Sequence, residues 1–257
     1  MISVIVPALN EEKTLGECLR RLSAQRVDED CEIIVVDGGS EDGTVSVAKE
    51  CADLVISQKS RGIGGARRDG AAVANGGKLA FTDADTIVSP DWLQSISLNL
   101  DEWDASTGPV IYLQSDIRSE IIENWRSLYR LLSVSSFHYI IGSNMAVSAN
   151  AYWRAGGHSE ISLLDDYDLS LRLFRSRASV RYDSNQAVYT SSRRVERLFT
   201  YAVTVAFGHY HYMTGDHEKL LYYPKPEAMN IGALQLGLRS TLGAAQSTLQ
   251  DRIKRMI

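Results

Sequence analysis

From Ile2 to Phe81 the chain repeats one pattern. A short apolar run rich in β-branched residues ends in a turn of Pro, Gly or Asp, and a segment with helical spacing follows. Ile2-Ser3-Val4-Ile5-Val6 stops at Pro7, and Asn10-Glu11-Glu12 opens a helix marked by Leu15, Leu19 and Leu22. Glu32-Ile33-Ile34-Val35-Val36 runs into Asp37-Gly38-Gly39-Ser40-Glu41-Asp42-Gly43-Thr44, and a helix covers Val45 to Cys51. Asp53 to Ser57 leads through Arg61-Gly62-Ile63-Gly64-Gly65-Ala66-Arg67 into a helix that reaches Asn75, and Leu79-Ala80-Phe81 closes the series as a fourth strand. Strands that are apolar along their whole length are buried on both faces, and strands joined by helices run parallel. The pattern therefore predicts an α/β fold with a mostly parallel sheet and helices on both faces. Ligands of such sheets bind beyond the carboxyl ends of the strands, where Pro7, Asp37, Arg67 and Asp83 gather.

Asp83 and Asp85 leave the fourth strand one residue apart. A pair of carboxylates so placed suits Mg²⁺ or Mn²⁺, which takes one or two of them and fills its shell with phosphates and water. Taken alone, a solvated Asp-x-Asp turn explains the pair as well. Gly62-x-Gly64-x-x-Arg67 has arginine where a dinucleotide fingerprint needs its third glycine, and it follows the third strand. An arginine at a helix start is better suited to a phosphate. The net charge of -5 gives no general attraction to nucleic acid. Cys18, Cys31 and Cys51 are odd in number and far apart, which argues against a disulfide framework or zinc site and fits a reduced, cytoplasmic setting. The first residues lack the pattern of a secretion signal, and no run approaches the roughly 18 apolar residues of a spanning helix.

Taken together, Val4-Ile5-Val6-Pro7-Ala8-Leu9-Asn10-Glu11-Glu12, Val36-Asp37-Gly38-Gly39-Ser40 with Asp42-Gly43-Thr44, and Ala66-Arg67 through Gly70, Ala74 and Gly76 to Phe81-Thr82-Asp83-Ala84-Asp85 resemble the family 2 glycosyltransferases of the GT-A fold. The resemblance implies that Pro7, Ala8, Glu11, Asp37, Gly39, Arg67, Asp83 and Ala84 line a nucleotide-sugar donor. It also implies that Asp83 and Asp85 hold Mg²⁺ or Mn²⁺ on the donor diphosphate. Many relatives have two aspartates where this chain has Asp37-Gly38, so the choice between UDP and GDP stays open. The likeness covers residues 1–200, as a nucleotide-sugar half (1–100) and an acceptor half (101–200), followed by a helical C-terminal extension (201–257).

In the second half, Ile117, Ile121, Ile122, Trp125, Leu128, Leu131 and Leu132 recur at helical spacing and predict a packed helix. Gly142, Ser143 and Asn144 resemble the family's strand beside the donor sugar, and Gly157 belongs to a segment resembling the loop behind it. In Leu164-Asp165-Asp166-Tyr167-Asp168-Leu169, local chemistry makes Asp165 a helix cap with Asp166 and Asp168 in the first turn. The same run resembles the family's Glu-Asp-x-Asp-Leu segment, which puts Asp166 at the position of the catalytic base and Asp165 beside it. Arg193 and Arg194, with Arg197, suit diphosphate or phospholipid groups. Leu198 to Met213 is aromatic but too polar and short to span a bilayer. The tail carries Leu234, Leu238, Leu242, Ala245, Leu249, Ile253 and Met256 on one helical face, with Arg239, Arg252, Lys254 and Arg255 as basic residues. Such a helix can lie on an anionic membrane, join a second copy in a homo-oligomer, or pack on its own domain.

The resemblance thus implies inverting transfer from a UDP- or GDP-sugar to a glycan or polyprenyl-phosphate-linked acceptor, and the arginine cluster, the aromatic segment and the basic tail together point to peripheral contact with the inner face of the cell membrane. Two alternatives are an aspartate-nucleophile phosphohydrolase built on Thr82-Asp83-Ala84-Asp85-Thr86-Ile87, and a non-catalytic nucleotide-sugar-binding protein.

Overall fold

A computed structural model describes residues 1–113, 137–190 and 198–222. Strands β1 (Ile2–Ala8), β2 (Cys31–Asp37), β3 (Leu54–Ser57) and β4 (Lys78–Phe81) alternate with helices α1 (Leu15–Ser23), α2 (Thr44–Cys51) and α3 (Gly62–Val73). There follow β5 (Thr86–Val88), α4 (Trp92–Glu102), β6 (Ala105–Thr107), β7 (Val110–Tyr112), β8 (Met145–Ser148), α5 (Ala149–Arg154), α6 (Asp165–Arg175), β9 (Val180–Tyr182), β10 (Val188–Thr190) and α7 (Leu198–Thr214). Seven strands form one sheet in the order β3-β2-β1-β4-β8-β6-β9, and β5, β10 and β7 form a second, three-stranded sheet. β1 runs parallel to both of its neighbours, β2 and β4. β8 is antiparallel to β4 and to β6. The sheet is the mostly parallel one that the sequence predicts, with β8 reversed.

Alternation along the strands sends side chains to two cores. Ile2, Val4, Val6, Ile33 and Val35 meet Leu15, Leu19 and Leu22 of α1 and Trp92, Leu93 and Ile96 of α4 on one face. Ile5, Ile34, Val36, Leu79, Phe81, Met145 and Val147 meet Ala66 and Ala71 of α3, Tyr152 of α5 and Leu169 and Leu173 of α6 on the other. Each fully buried Leu or Ile stabilises the fold by about 1.5–3 kcal/mol over its exposed state. That packing holds even α3, whose 12 residues include Gly62, Gly64, Gly65 and Gly70 and have little helix propensity of their own. Pro7 sits inside β1 because β4 ends opposite Ile5, so no strand on that side needs the missing N–H.

Two helix starts differ from the sequence reading. α1 begins at Leu15 and not at Asn10, because residues 10–12 are committed to the β2–α2 loop: the Asn10 N–H donates to Ser40 Oγ at 2.9 Å and the Glu11 N–H to Thr44 Oγ1 at 2.8 Å. α3 begins at Gly62, before the expected Arg67, and its glycines bring its first turn against the backbone of residues 159–162. The Gly64 N–H donates to the Ile161 carbonyl at 2.9 Å.

The chain moves from β1 to β2 and β3 on one side and then to β4 on the other. The order reverses between β1 and β4, whose carboxyl ends frame a crevice. α6 reaches this crevice through the loop before it, braced from behind: Ser162 and Leu163 donate backbone bonds to the Leu220 carbonyl at 2.7 and 3.0 Å. The Tyr212 hydroxyl of α7 donates to Asp168 Oδ1 at 2.8 Å. Among the described residues no helix is long and apolar enough to cross a membrane. The predicted helix over 117–132, Arg193, Arg194 and the tail from 223 onward lie outside the described residues.

Candidate active site

At the β1 and β2 side of the crevice, the two strand ends are tied by their own polar groups. Gly38 donates its N–H to the Ala8 carbonyl at 2.8 Å. The buried Asp37 carboxylate accepts the N–H groups of Gly39 at 3.1 Å and Ser40 at 3.2 Å, a local turn that Asp favours and that Gly39 permits with φ of +92°. Glu11 receives the Thr14 hydroxyl at 2.7 Å. Pro7 and Ala8 are buried, so backbone and Glu11 form this edge of the crevice.

The β4 side is built around Arg67. Its side chain is 4% exposed; Nη2 donates to Asp83 Oδ1 at 2.7 Å and Nη1 donates to Asp165 Oδ2. It packs against Gly142, where a Cβ would come within 2.7 Å of Nη1. The Gly142 N–H donates to Asp166 Oδ2 at 3.1 Å, beside the Tyr139 hydroxyl at 2.9 Å, and the Tyr167 N–H reaches Asp166 Oδ1 at 2.8 Å. Asp83 from the end of β4 and Asp165 from the start of α6 therefore share one guanidinium, and Asp166 stands beside them, bonded to the glycine that packs on that guanidinium. Asp165 is the first residue of α6 and makes no capping bond; the buried arginine is a stronger partner than an end-of-helix N–H.

The charges are mutually dependent. Burial would favour a neutral Arg67, but Asp165, Asp83 and Asp166 outweigh it and hold the guanidinium protonated beyond its ordinary range. Burial pushes the Asp165 carboxyl up to about 6, with Arg67 pulling it down and Asp166 adding to the rise. His158 is fully buried, and burial with Arg67 and Arg172 nearby keeps its ring neutral. Its Nδ1 lies 3.0 Å from the Tyr152 hydroxyl, and its Nε2 stands 3.9 Å from Asp165 Oδ2. Beneath the Asp83 turn, Cys18 donates to the Asp83 carbonyl, and burial plus Asp83 and Asp85 push its thiol up to about 12; at that value it is unreactive.

A second ion pair shapes the loop before α6. Arg172 bonds Asp168 Oδ2 through Nε at 3.1 Å and reaches the Ala155 carbonyl through Nη1 at 2.7 Å and also the Gly157 carbonyl. Ser159 donates to Asp168 Oδ2 at 2.6 Å. Burial raises the Asp168 carboxyl less than Arg172 and Ser159 lower it, so it stays below the usual carboxylate range. Gly156 and Gly157, at φ of +88° and +67°, let the chain curl around that guanidinium.

Among the described residues no three His, Cys, Asp or Glu side chains form a self-sufficient metal cage. Asp83 and Asp85 nevertheless supply hard carboxylate oxygens from a single turn at the crevice, with Arg67 on one oxygen of Asp83. This donor set fits a Mg²⁺ or Mn²⁺ ion that draws its remaining ligands from a diphosphate and water.

The model of the family described as Glycosyl transferase family 2 matches residues 3–156. The chain belongs to glycosyl transferase family 2. The match holds β1 to β8 and the Asp83–Asp85 turn, and ends before Asp165. The putative glycosyltransferase EpsH of Bacillus subtilis is 34% identical over 100 residues, which is 37% of this chain and 29% of the relative. The dolichyl-phosphate beta-glucosyltransferase of Drosophila melanogaster is 35% identical over 159 residues, 54% of this chain and 48% of the relative. The matched region is thus less than half of either relative. Among solved structures, the mannosyltransferase PcManGT from Pyrobaculum calidifontis, in complex with GDP-Man and Mn²⁺, superposes with a TM-score of 0.64 at 20% identity over 96% of this chain and 75% of that one. S. aureus TarS 1-349 in complex with UDP-GlcNAc gives a TM-score of 0.62 at 20% identity over 88% of this chain and 68% of that one. The fold is GT-A.

Within this family frame, the sequence-predicted residues separate by environment. Arg67 stands between carboxylates in the protein interior. Asn144 is fully buried and spends its amide on Trp92 Nε1, the Pro109 carbonyl and the Gln186 carbonyl, while Ser143 gives its carbonyl to Thr82 at 3.0 Å. Gly142 links the two remaining groups, packing on Arg67 and donating its N–H to Asp166. Tyr139, His158, Arg172 and Tyr212 were missed by sequence reasoning. Arg172 had a signal, lying four residues after Asp168 on one helix face. Tyr139 and Tyr212 pair across long separations that no local pattern marks, while His158 meets Tyr152 across the short turn after α5.

Proposed function

We propose that this protein transfers a glycosyl group from a UDP- or GDP-sugar to an acceptor, with inversion at the anomeric carbon and with Asp166 as the base. The observation that carries the reading is the cluster in which Asp83, Arg67, Asp165, Gly142 and Asp166 meet at the switch point of a family 2 sheet. Pro7, Ala8, Glu11, Asp37, Gly39 and Ala84 would take the nucleotide, and Asp83 and Asp85 would hold the cation. When bound, that cation would offset charge growing on the leaving diphosphate. Asp166, aimed by Tyr139, Gly142 and Tyr167, would accept the proton of an acceptor hydroxyl placed within hydrogen-bond reach, a contribution of about 10²–10⁴ in rate. An acceptor that is already an ionised phosphate needs less of this help.

For the acceptor we favour a polyprenyl phosphate or a glycan carried on one, reached by peripheral contact with the inner face of the cell membrane. The relative that acts on dolichyl phosphate and the basic, leucine-striped tail support this reading. Family membership sets the phosphohydrolase alternative aside.

The test is a thermal-shift screen of UDP- and GDP-sugars with Mn²⁺, since a ligand bound only by the folded state raises its stability, followed by proton NMR of the product made from the best donor. The reading expects one donor class to stabilise the protein and the product anomer to be opposite to that of the donor. Retained configuration would overturn inversion. Binding without any transfer would leave a nucleotide-sugar-binding protein.

A further inference from the structure

We infer that Arg67 is a positioning residue, an internal strut that sets the spacing between the cation-side carboxylate and the base, and that it is not a ligand of the donor phosphates. This rests on the functional reading above. The sequence reads Arg67 as a helix-start arginine suited to phosphate, but it lies in the second turn of α3 and three features of it point inward. The side chain is 4% exposed, and its two terminal nitrogens are taken by Asp83 from the end of β4 and Asp165 from α6. Gly142 closes its side, where any Cβ would stand 2.7 to 2.8 Å from the guanidinium atoms. Its Nε is buried without a hydrogen-bond partner among the described residues, so the group is held by its ends.

The geometry gives the strut a lever. Asp83 carries the donor side, Asp165 is covalently next to Asp166, and Gly142 both walls Arg67 and donates its N–H to Asp166 at 3.1 Å. A shift of the guanidinium therefore moves the base by two routes. Displacement of a reacting group by about 1 Å costs about a hundredfold in rate, whereas a phosphate ligand shows itself in donor affinity. The two roles separate in the kinetics.

Calorimetry with UDP and with GDP, each with Mn²⁺, gives nucleotide affinity; steady-state transfer gives kcat and donor KM. Arg67→Lys keeps the charge and loses one arm of the fork. It should lower kcat about a hundredfold and leave nucleotide Kd and donor KM within about threefold. Asp165→Asn should do the same, and the double variant should lose little more than either single one. Gly142→Ala, which leaves every charge in place, should repeat the kcat loss and covers the case in which Arg67→Lys does not fold. Nucleotide Kd raised tenfold or more in Arg67→Lys with kcat kept would overturn the proposal in favour of a phosphate ligand, as would multiplicative losses in the double variant. The binding arm needs no transfer, so a wild type that binds nucleotide but moves no sugar counts against the function while Arg67 is still judged by nucleotide Kd.

Discussion

Among the described residues the Asp166 carboxylate takes hydrogen bonds from a tyrosine hydroxyl and two backbone N–H groups, so replacing it by Asn keeps the size and the acceptor oxygen but removes the proton-accepting charge. We expect Asp166→Asn to lower transfer by about a hundredfold or more while donor Kd, read by calorimetry, stays near the wild-type value. Asp85→Asn should instead weaken Mn²⁺ binding, measured by electron paramagnetic resonance of free Mn²⁺, and EDTA should stop turnover of the wild type. Both outcomes were arguable from sequence, because carboxylates at a strand end and at a helix start mark themselves by position. The direction of Arg67 was not: a buried guanidinium and an exposed one have the same sequence neighbours, and the pairing with Asp165 joins residues 98 positions apart.

At the scale of elements, the loop before α6 is wedged between α3 and the segment after α7. Gly64 makes that contact bare: a Cβ would lie 2.2 Å from the Ser159 carbonyl oxygen and 2.9 Å from that of Ile161, both backbone atoms with nowhere to go. Gly64→Ala should therefore destabilise by about 3 kcal/mol, visible as a lower urea midpoint, and should reduce activity along with it. Tyr212→Phe removes only the bond to Asp168 and should cost about 1 kcal/mol. At the amino ends of the strands, burial would raise Glu29, but bonds from Lys78, the N-terminal amine and Ser97 bring its carboxyl from 4.5 down to about 2. A depressed carboxyl stabilises the fold above its unfolded value and loses that contribution as pH falls from about 4.5 toward 2. Thermal unfolding across that window should show Tm falling with acid, and Glu29→Gln should flatten the fall. The strands and helices were legible because burial on two faces leaves an apolar run and a helix leaves its period. The starts of α1 and α3 were not, since each is set by contacts with a distant loop.

For the whole molecule, the parallel sheet and the meeting of β1, β2 and β4 ends follow from the alternation of strands and helices, while the strand order, the reversed β8 and the bracing by Tyr212 and Leu220 are long-range outcomes with no local mark. The proposed membrane contact is tested on the whole chain: if it holds, anionic liposomes should sediment the protein at low salt, less at high salt, and less still a variant ending before Met229, since basic residues near the surface contribute about 1 kcal/mol each. Equal sedimentation of both proteins would assign the tail to packing or to a second copy. The most direct measurement of the central claim is release of nucleotide diphosphate from UDP- and GDP-sugars incubated with the protein, Mn²⁺ and a short-chain polyprenyl phosphate. The account predicts release from one donor class, absent in EDTA, reduced in Asp85→Asn, and with no inorganic phosphate formed. Release of inorganic phosphate, or no release from any donor that the calorimeter shows to be bound, would contradict it.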